Sequence, residues 1–236
     1  MKSSPRIHFL ILIICACVLG STAQGVGTGQ GGRKGPGPIV VSVDAGGRFK
    51  LGNRAVTLSR LGSSLSAALD ARTPADRIIW VKAAPNVPFS QIIKLLKLGR
   101  TIKEDSFGLI PDTENVAGAV ITKIALDSRD DSKPNPLYLG LTFKKNGRMS
   151  LNGEPHTPLS LTTKLREIFK SRADNGVFRE GTNEVERSIF LVPSRTTTYG
   201  AIIKAARLAK GAGAEPIGIE IDGPRPMVTR INTIQP

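Results

Sequence analysis

Phe89-Ser90-Gln91-Ile92-Ile93-Lys94 and Tyr199-Gly200-Ala201-Ile202-Ile203-Lys204 decide the fold of this chain, because they are one pattern written twice. Each opens on an aromatic and repeats apolar residues at helical spacing: Phe89, Ile92, Ile93, Leu96 in one, Tyr199, Ile202, Ile203, Ala206 in the other. That spacing predicts two amphipathic helices, each with a single buried stripe. Outward from them the same offset of 110 brings Ile79 onto Ile189 and Gly108 onto Gly218. Further toward the N-terminus the offset is 100, and it aligns Gly47-Arg48 with Gly147-Arg148, Leu51 with Leu151, Thr57 with Thr157, Leu61 with Leu161 and Leu65 with Leu165. An insertion of ten residues around Ser171 to Glu184 accounts for the change. Register kept over roughly 75 residues with one gap is the signature of a tandem duplication.

Within each copy the β-rich runs Ile39 to Asp44 and Leu137 to Phe143 end in turn residues, Ala45-Gly46-Gly47 and Lys145-Asn146-Gly147. Short second strands follow at Arg48 to Leu51 and Arg148 to Leu151, and Asn146-Gly147 is a strong hairpin signal because both residues tolerate positive φ. Thr57 and Thr157 stand where an N-cap belongs, with Pro158 suited to the first helical position. The helices behind them carry Leu58, Leu61, Leu65, Leu69 and Leu161, Leu165, Ile168, Phe169 on one face. Apolar strands at Arg77 to Lys82 and Ser188 to Val192 have the continuous character of central strands. After the aromatic-led helices, strands close the core at Phe107 to Ile110 and Ile217 to Ile221, and the similar segments Ile121-Thr122-Lys123-Ile124 and Val228-Thr229-Arg230-Ile231 predict a fifth strand. The expected fold class is α+β: two tandem copies of a ββαβαββ unit, each with two helices packed on one face of a mixed five-stranded sheet. The units span 39–127 and 137–236, joined by a charged, proline-bearing linker over 128–136.

The N-terminus reads as an address. Lys2 and Arg6 precede the apolar run Ile7 to Gly20, and Ser21-Thr22-Ala23 supply small residues, so residues 1–23 describe a secretory signal peptide. Three fates stay open: cleavage after Ala23, lipidation of Cys17 through the degenerate lipobox Ile14-Cys15-Ala16-Cys17, and retention as a membrane anchor. All three export the body to the periplasm or cell envelope. Residues 24–38 are rich in Gly and Pro and form a flexible tether; the glycines there neither follow a strand nor open a helix, as a dinucleotide fingerprint must. Both cysteines, Cys15 and Cys17, lie in the leader, which leaves the body without a thiol for disulfides, zinc or nucleophilic catalysis.

The paired pattern resembles the periplasmic domain of the ExbD/TolR family of biopolymer-transport proteins. The hairpins Gly47-Arg48-Phe49-Lys50-Leu51-Gly52-Asn53 and Gly147-Arg148-Met149-Ser150-Leu151-Asn152-Gly153 carry the likeness, followed by the Leu-rich helix, the apolar strand, the aromatic-led helix and the Gly-containing strand Phe107-Gly108-Leu109 or Ile217-Gly218-Ile219. The resemblance implies a domain of the TonB/Tol systems that dimerises and engages ExbB/TolQ-type or TonB/TolA-type proteins, or peptidoglycan. It also implies proton coupling through one transmembrane Asp, but Ile7 to Gly20 contains no Asp or Glu, so that property is not carried over. The doubling suggests that the two copies pair as an internal pseudo-dimer; a homodimer of the whole chain is the alternative.

Composition sets the chemistry. The chain has 236 residues, and its 33 Lys and Arg against 19 Asp and Glu give a formal charge of +14, which points to a polyanionic partner. Six cations recur at matched positions, Lys94, Lys97, Arg100 and Lys204, Arg207, Lys210. Two readings apply to them: a solvated flank whose last cations complement the helix dipole, or a doubled basic stripe for an anionic envelope polymer. Nucleic acid is the competing partner, disfavoured because aromatics make up 5% and read as core, Trp80, Phe89 and Tyr199 included. His156, in the segment Glu154-Pro155-His156 expected to be a turn, is the one histidine of the body, and its counterpart is Val56. A lone turn histidine is expected to be solvated. No metal-ligand set, phosphate loop or nucleophile elbow is present in the pattern, so the expected function is binding rather than catalysis, with no cofactor.

Overall fold

The computed structural model describes residues 37–111, 113–124, 136–144 and 148–222. The leader, most of the tether and of the 128–136 linker, and the segment Val228 to Ile231 fall outside these residues, as does Cys17. The fold is mixed α+β, with four α-helices and one sheet of 11 strands among the described residues.

In chain order the first half runs β1 (Ile39–Val43), β2 (Phe49–Leu51), β3 (Arg54–Val56), α1 (Leu58–Asp70), β4 (Ile79–Ala83), α2 (Phe89–Thr101), β5 (Ser106–Pro111) and β6 (Val120–Ile124). The second half runs β7 (Gly140–Phe143), β8 (Met149–Leu151), β9 (Glu154–His156), α3 (Pro158–Asp174), β10 (Ile189–Val192), α4 (Tyr199–Gly211) and β11 (Ile217–Ile219). Alternation explains the strands: in β1 and β4 every second residue is buried, so one face meets the core. Helical spacing explains α1 and α3, whose buried residues include Leu61, Leu65, Leu69 and Leu161, Leu165, Phe169. Thr157 closes a capping box with Ser160, and Pro158 occupies the first turn of α3.

Two features differ from the expectation. Each hairpin has a third strand, β3 or β9, reached through Gly52 and Asn53 or through Asn152 and Gly153; Gly52, Asn152 and Gly153 take the left-handed φ that such tight turns need. Three-residue strands are too short to leave a periodic signal, and Pro155 further disguises β9, which sits at the sheet edge where proline is tolerated. His156 is therefore in a strand and not in a turn.

The second difference is larger. The strands do not form two sheets of five. Their order is β3-β2-β1-β4-β5-β6-β11-β10-β7-β8-β9, a palindrome about β6, which pairs antiparallel with β5 and parallel with β11. One hydrophobic core runs the length of this sheet, from Val41 and Leu65 through Phe89, Leu109 and Tyr199 to Leu165 and Leu191. The unpaired edges of β5 and β11 are thereby satisfied by the same strand, which removes two aggregation-prone edges.

Candidate binding surfaces

The halves join where the aromatic-led helices begin. Phe89 N–H donates to the carbonyl of Thr197 at 2.8 Å, and Tyr199 N–H donates to that of Val87, also at 2.8 Å. Val87 and Thr197, like Phe89 and Tyr199, are matched positions, so this is a reciprocal pair of bonds between equivalent segments. The two rings lie stacked with centroids 6.5 Å apart and an interplanar angle of 14°. Tyr199, fully buried, sends its hydroxyl toward the carbonyl oxygens of Val81 at 2.6 Å and Ile110 at 3.0 Å in the opposite half. Gly200 N–H donates to Pro85 O at 2.9 Å, and a Cβ on Gly200 would come within 3.0 Å of that oxygen, so the close approach requires glycine. Phe89 and Tyr199 are core residues, as their spacing predicts.

The matched cations divide into two groups. Lys97 and Arg100 of α2 reach Asp222, which follows β11, at 3.2 and 2.7 Å. Arg207 of α4 reaches the other way, to the carboxylate of Glu114 and to Gly118 O at 2.8 Å, between β5 and β6. Cations of each half thus bind acceptors of the other. Lys94, Lys204 and Lys210 stay exposed and, among the described residues, have no ion-pair partner. Sequence spacing put all six on one footing; only the sheet order shows that three are turned inward across the joint.

Asp222 makes the joint sensitive to acid. The hydrogen bond from Arg100, with a further one from Lys97, holds its carboxyl below the ordinary carboxylate value, against a smaller opposing push from burial. A carboxyl depressed in the folded state contributes stability that is complete above about pH 4 and is lost as pH falls toward the folded value. The pair is half exposed, so Asp222→Asn is expected to cost no more than about 1 kcal/mol near neutrality. The difference from the parent in urea titrations should shrink as pH falls below about 4. A difference that does not shrink on acidification would show that the carboxylate charge is not what the side chain contributes.

The face of the sheet away from the core carries a feature that the sequence reading placed wrongly. Trp80 and Phe190, matched positions in β4 and β10, are half-buried there, each lying over the glycine of the neighbouring strand, Gly108 or Gly218. A Cβ on Gly108 would sit 2.1 Å from the Trp80 ring and one on Gly218 would sit 2.6 Å from Phe190. Tyr138 stacks on Phe190 at 5.1 Å and donates its hydroxyl to Glu220 at 2.6 Å. Trp80 is therefore not a core residue like Phe89 and Tyr199. Continuous apolar runs conceal in the sequence which alternate residue faces the helices. Ile121, Lys82 and Lys123 share this face of the sheet.

His156 is not solvated either: its side chain keeps 11% exposure. Its Nδ1 lies 3.3 Å from Ser160 Oγ, and its Nε2 is buried with no hydrogen-bond partner. The ring forms part of the wall of a cleft of about 490 Å³ that also includes Phe143, Arg148, Met149, Ala201 and Lys204. Among the described residues no cluster of His, Cys, Asp and Glu could hold a metal ion, and no helix is long and apolar enough to cross a membrane.

No family model matches this chain, and none of the curated proteins matches it in sequence.

Proposed function

We propose that this protein is a non-enzymatic binding component of the cell envelope, built from two ExbD/TolR-like units in tandem that pair with each other inside one chain. The observation that carries the reading is the reciprocal contact of Val87 to Phe89 with Thr197 to Tyr199, an arrangement in which equivalent segments of two copies meet as a homodimer's would. The palindromic strand order supports it. Each unit in this reading is ββαβαββ-like with an added edge strand, and the second unit stands where a partner subunit would otherwise dock.

The partner is an anionic envelope polymer, with peptidoglycan carboxylates as the leading case, and proteins of the ExbB/TolQ or TonB/TolA type are the further partners implied by the resemblance. The contact is electrostatic and uses the exposed Lys94, Lys204 and Lys210, which have no ion-pair partner among the described residues, against the protein's +14 background. Purified protein mixed with isolated peptidoglycan sacculi should cosediment, and retention should fall at least about tenfold as sodium chloride rises from about 0.05 to 0.5 M. The triple variant Lys94→Glu, Lys204→Glu, Lys210→Glu should lose most of that retention while melting like the parent. Retention that ignores both salt and the triple variant would overturn the reading.

A second reading is favoured by the outer sheet face: half-buried Trp80 and Phe190 beside Lys82 and Lys123 are the ingredients of a base-stacking platform for single-stranded nucleic acid. The same experiment separates the two. Tighter binding to single-stranded DNA than to sacculi at physiological salt, lost in Trp80→Ala, would replace the envelope reading by this one.

A further inference from the structure

The two halves differ at one place, where the second carries a cleft. Position by position, the cleft wall Phe143, Arg148, Met149, His156, Ala201, Lys204 corresponds to Val43, Arg48, Phe49, Val56, Gln91, Lys94. In the first half the Gln91 side chain lies across to the β1–β2 turn, so close that a Cβ on Gly47 would come within 2.5 Å of its Oε1. In the second half the matching residue is Ala201, which ends at Cβ, and a space of about 490 Å³ stands beside it. That volume falls within the range of small-molecule sites.

The chemistry of the wall changed with the shape. Val56 is replaced by His156, whose Nε2 is shut off from water and has no hydrogen-bond partner; the nearest carboxylate oxygen, of the exposed Glu154, is 4.0 Å away and beyond hydrogen-bond reach. Lys204 is exposed at the mouth without an ion-pair partner among the described residues, and Arg148 lies beside it. Phe143 and Met149 supply an apolar floor. Each half carries a buried unpartnered polar atom here, Gln91 Oε1 in the first and His156 Nε2 in the second, but in the second it adjoins an open space.

From this we infer that the cleft between β7–β9 and α4 is a binding site for a small carboxylate with a compact apolar body, aryl or branched aliphatic. The carboxylate meets Lys204 at the mouth, the apolar body rests on Phe143 and Met149, and the His156 ring forms part of the wall. The site does not depend on the envelope reading: it lies in one half and shares with it Lys204 alone, not Lys94 or Lys210.

The test uses fluorine NMR of the full-length protein with millimolar 4-fluorobenzoate and, separately, 4-fluorobenzamide. The benzoate signal should broaden and shift on adding protein, with the amide bound at least tenfold more weakly. Ala201→Gln, which restores the first-half residue, should abolish the benzoate effect while the protein stays folded, because it fills a space that the first half fills with the same side chain. Lys204→Gln gives an independent arm and should weaken benzoate at least fivefold without restoring the Gln91-like filling. Absence of benzoate binding, equal binding of the amide, or binding unchanged in both variants would overturn the assignment. Binding that survives Ala201→Gln but not Lys204→Gln would place the anion on the outer surface and overturn the cleft as its site.

Discussion

Tyr199→Ala is expected to destabilise the whole protein by about 3 to 5 kcal/mol, the usual cost of truncating a fully buried aromatic. The ring is in contact with Phe89 and has no exposed surface, and its hydroxyl is shared between the carbonyl oxygens of Val81 and Ile110. Tyr199→Phe keeps the ring and removes only the hydroxyl, so it should cost about 1 kcal/mol, with the burial unchanged. The stack itself is separable by a double-mutant cycle with Phe89→Ala, where a coupling of about 0.5 to 1.5 kcal/mol is expected. Urea unfolding followed by far-UV circular dichroism and by Trp80 fluorescence reads these effects. Trp80 lies on a strand of the first half and Tyr199 in the second, and one core runs through both halves. Both probes should therefore shift together in Tyr199→Ala; a Trp80 transition that stays in place would show that the joint does not couple the halves.

Arg172→Ala is expected to cost about 2 to 4 kcal/mol, because it strips partners from two partly buried carbonyls and removes the packing of a buried side chain at the same time. Arg172 lies near the end of α3 with only 7% exposure. Its guanidinium donates to Glu186 O at 2.9 Å and to Leu137 O, and so ties together the approaches to β10 and β7. Burial pushes its pKa down, with the Glu186 carboxylate opposing that push, yet an arginine remains charged at neutral pH. The position therefore carries a desolvation cost that the two carbonyl contacts offset. Arg172→Lys should recover only part of the loss, since an ammonium on a flexible stem cannot span both oxygens as a planar fork does. Hydrogen exchange should locate the effect: amides of Val177 to Ser188 are expected to exchange faster in Arg172→Ala than in the parent. Val177 and Glu186 bond to each other across that segment, and Val177 N–H also donates to Arg172 O. Unchanged exchange there, with a fall in stability elsewhere, would contradict the anchoring role.

Both predictions rest on features of unequal legibility. The helices carrying Tyr199 and Arg172 were readable because Leu, Ile and Phe recur at intervals of three and four, a signal that any sheet-backed helix must carry to bury one face. The anchoring by Arg172 was not readable. At the offset of 100 its counterpart is Arg72, whose guanidinium donates to Gly37 O as that of Arg172 does to Leu137 O, but a buried arginine is indistinguishable in sequence from an exposed one. His156 shows the opposite failure, since its neighbours Glu154 and Pro155 read as turn residues while the sheet edge accepts them as a strand.

The matched cations give the clearest division between the two kinds of information. Their repetition at one spacing is a property of the chain, as are the doubled helix pattern, the positive charge and the mixed α+β class. These are legible because local periodicity and composition act on near neighbours, and near neighbours are adjacent in the sequence. That Lys97, Arg100 and Arg207 cross to acids of the other half, while Lys94, Lys204 and Lys210 face solvent, follows from pairing β6 with both β5 and β11. Strand edges pair through backbone groups that every residue possesses, so which edges meet leaves little mark on side-chain pattern. The cleft at Ala201 belongs to the same class: an alanine in place of a glutamine is unremarkable on a helix, and becomes a binding space only when the hairpin and α4 are brought face to face.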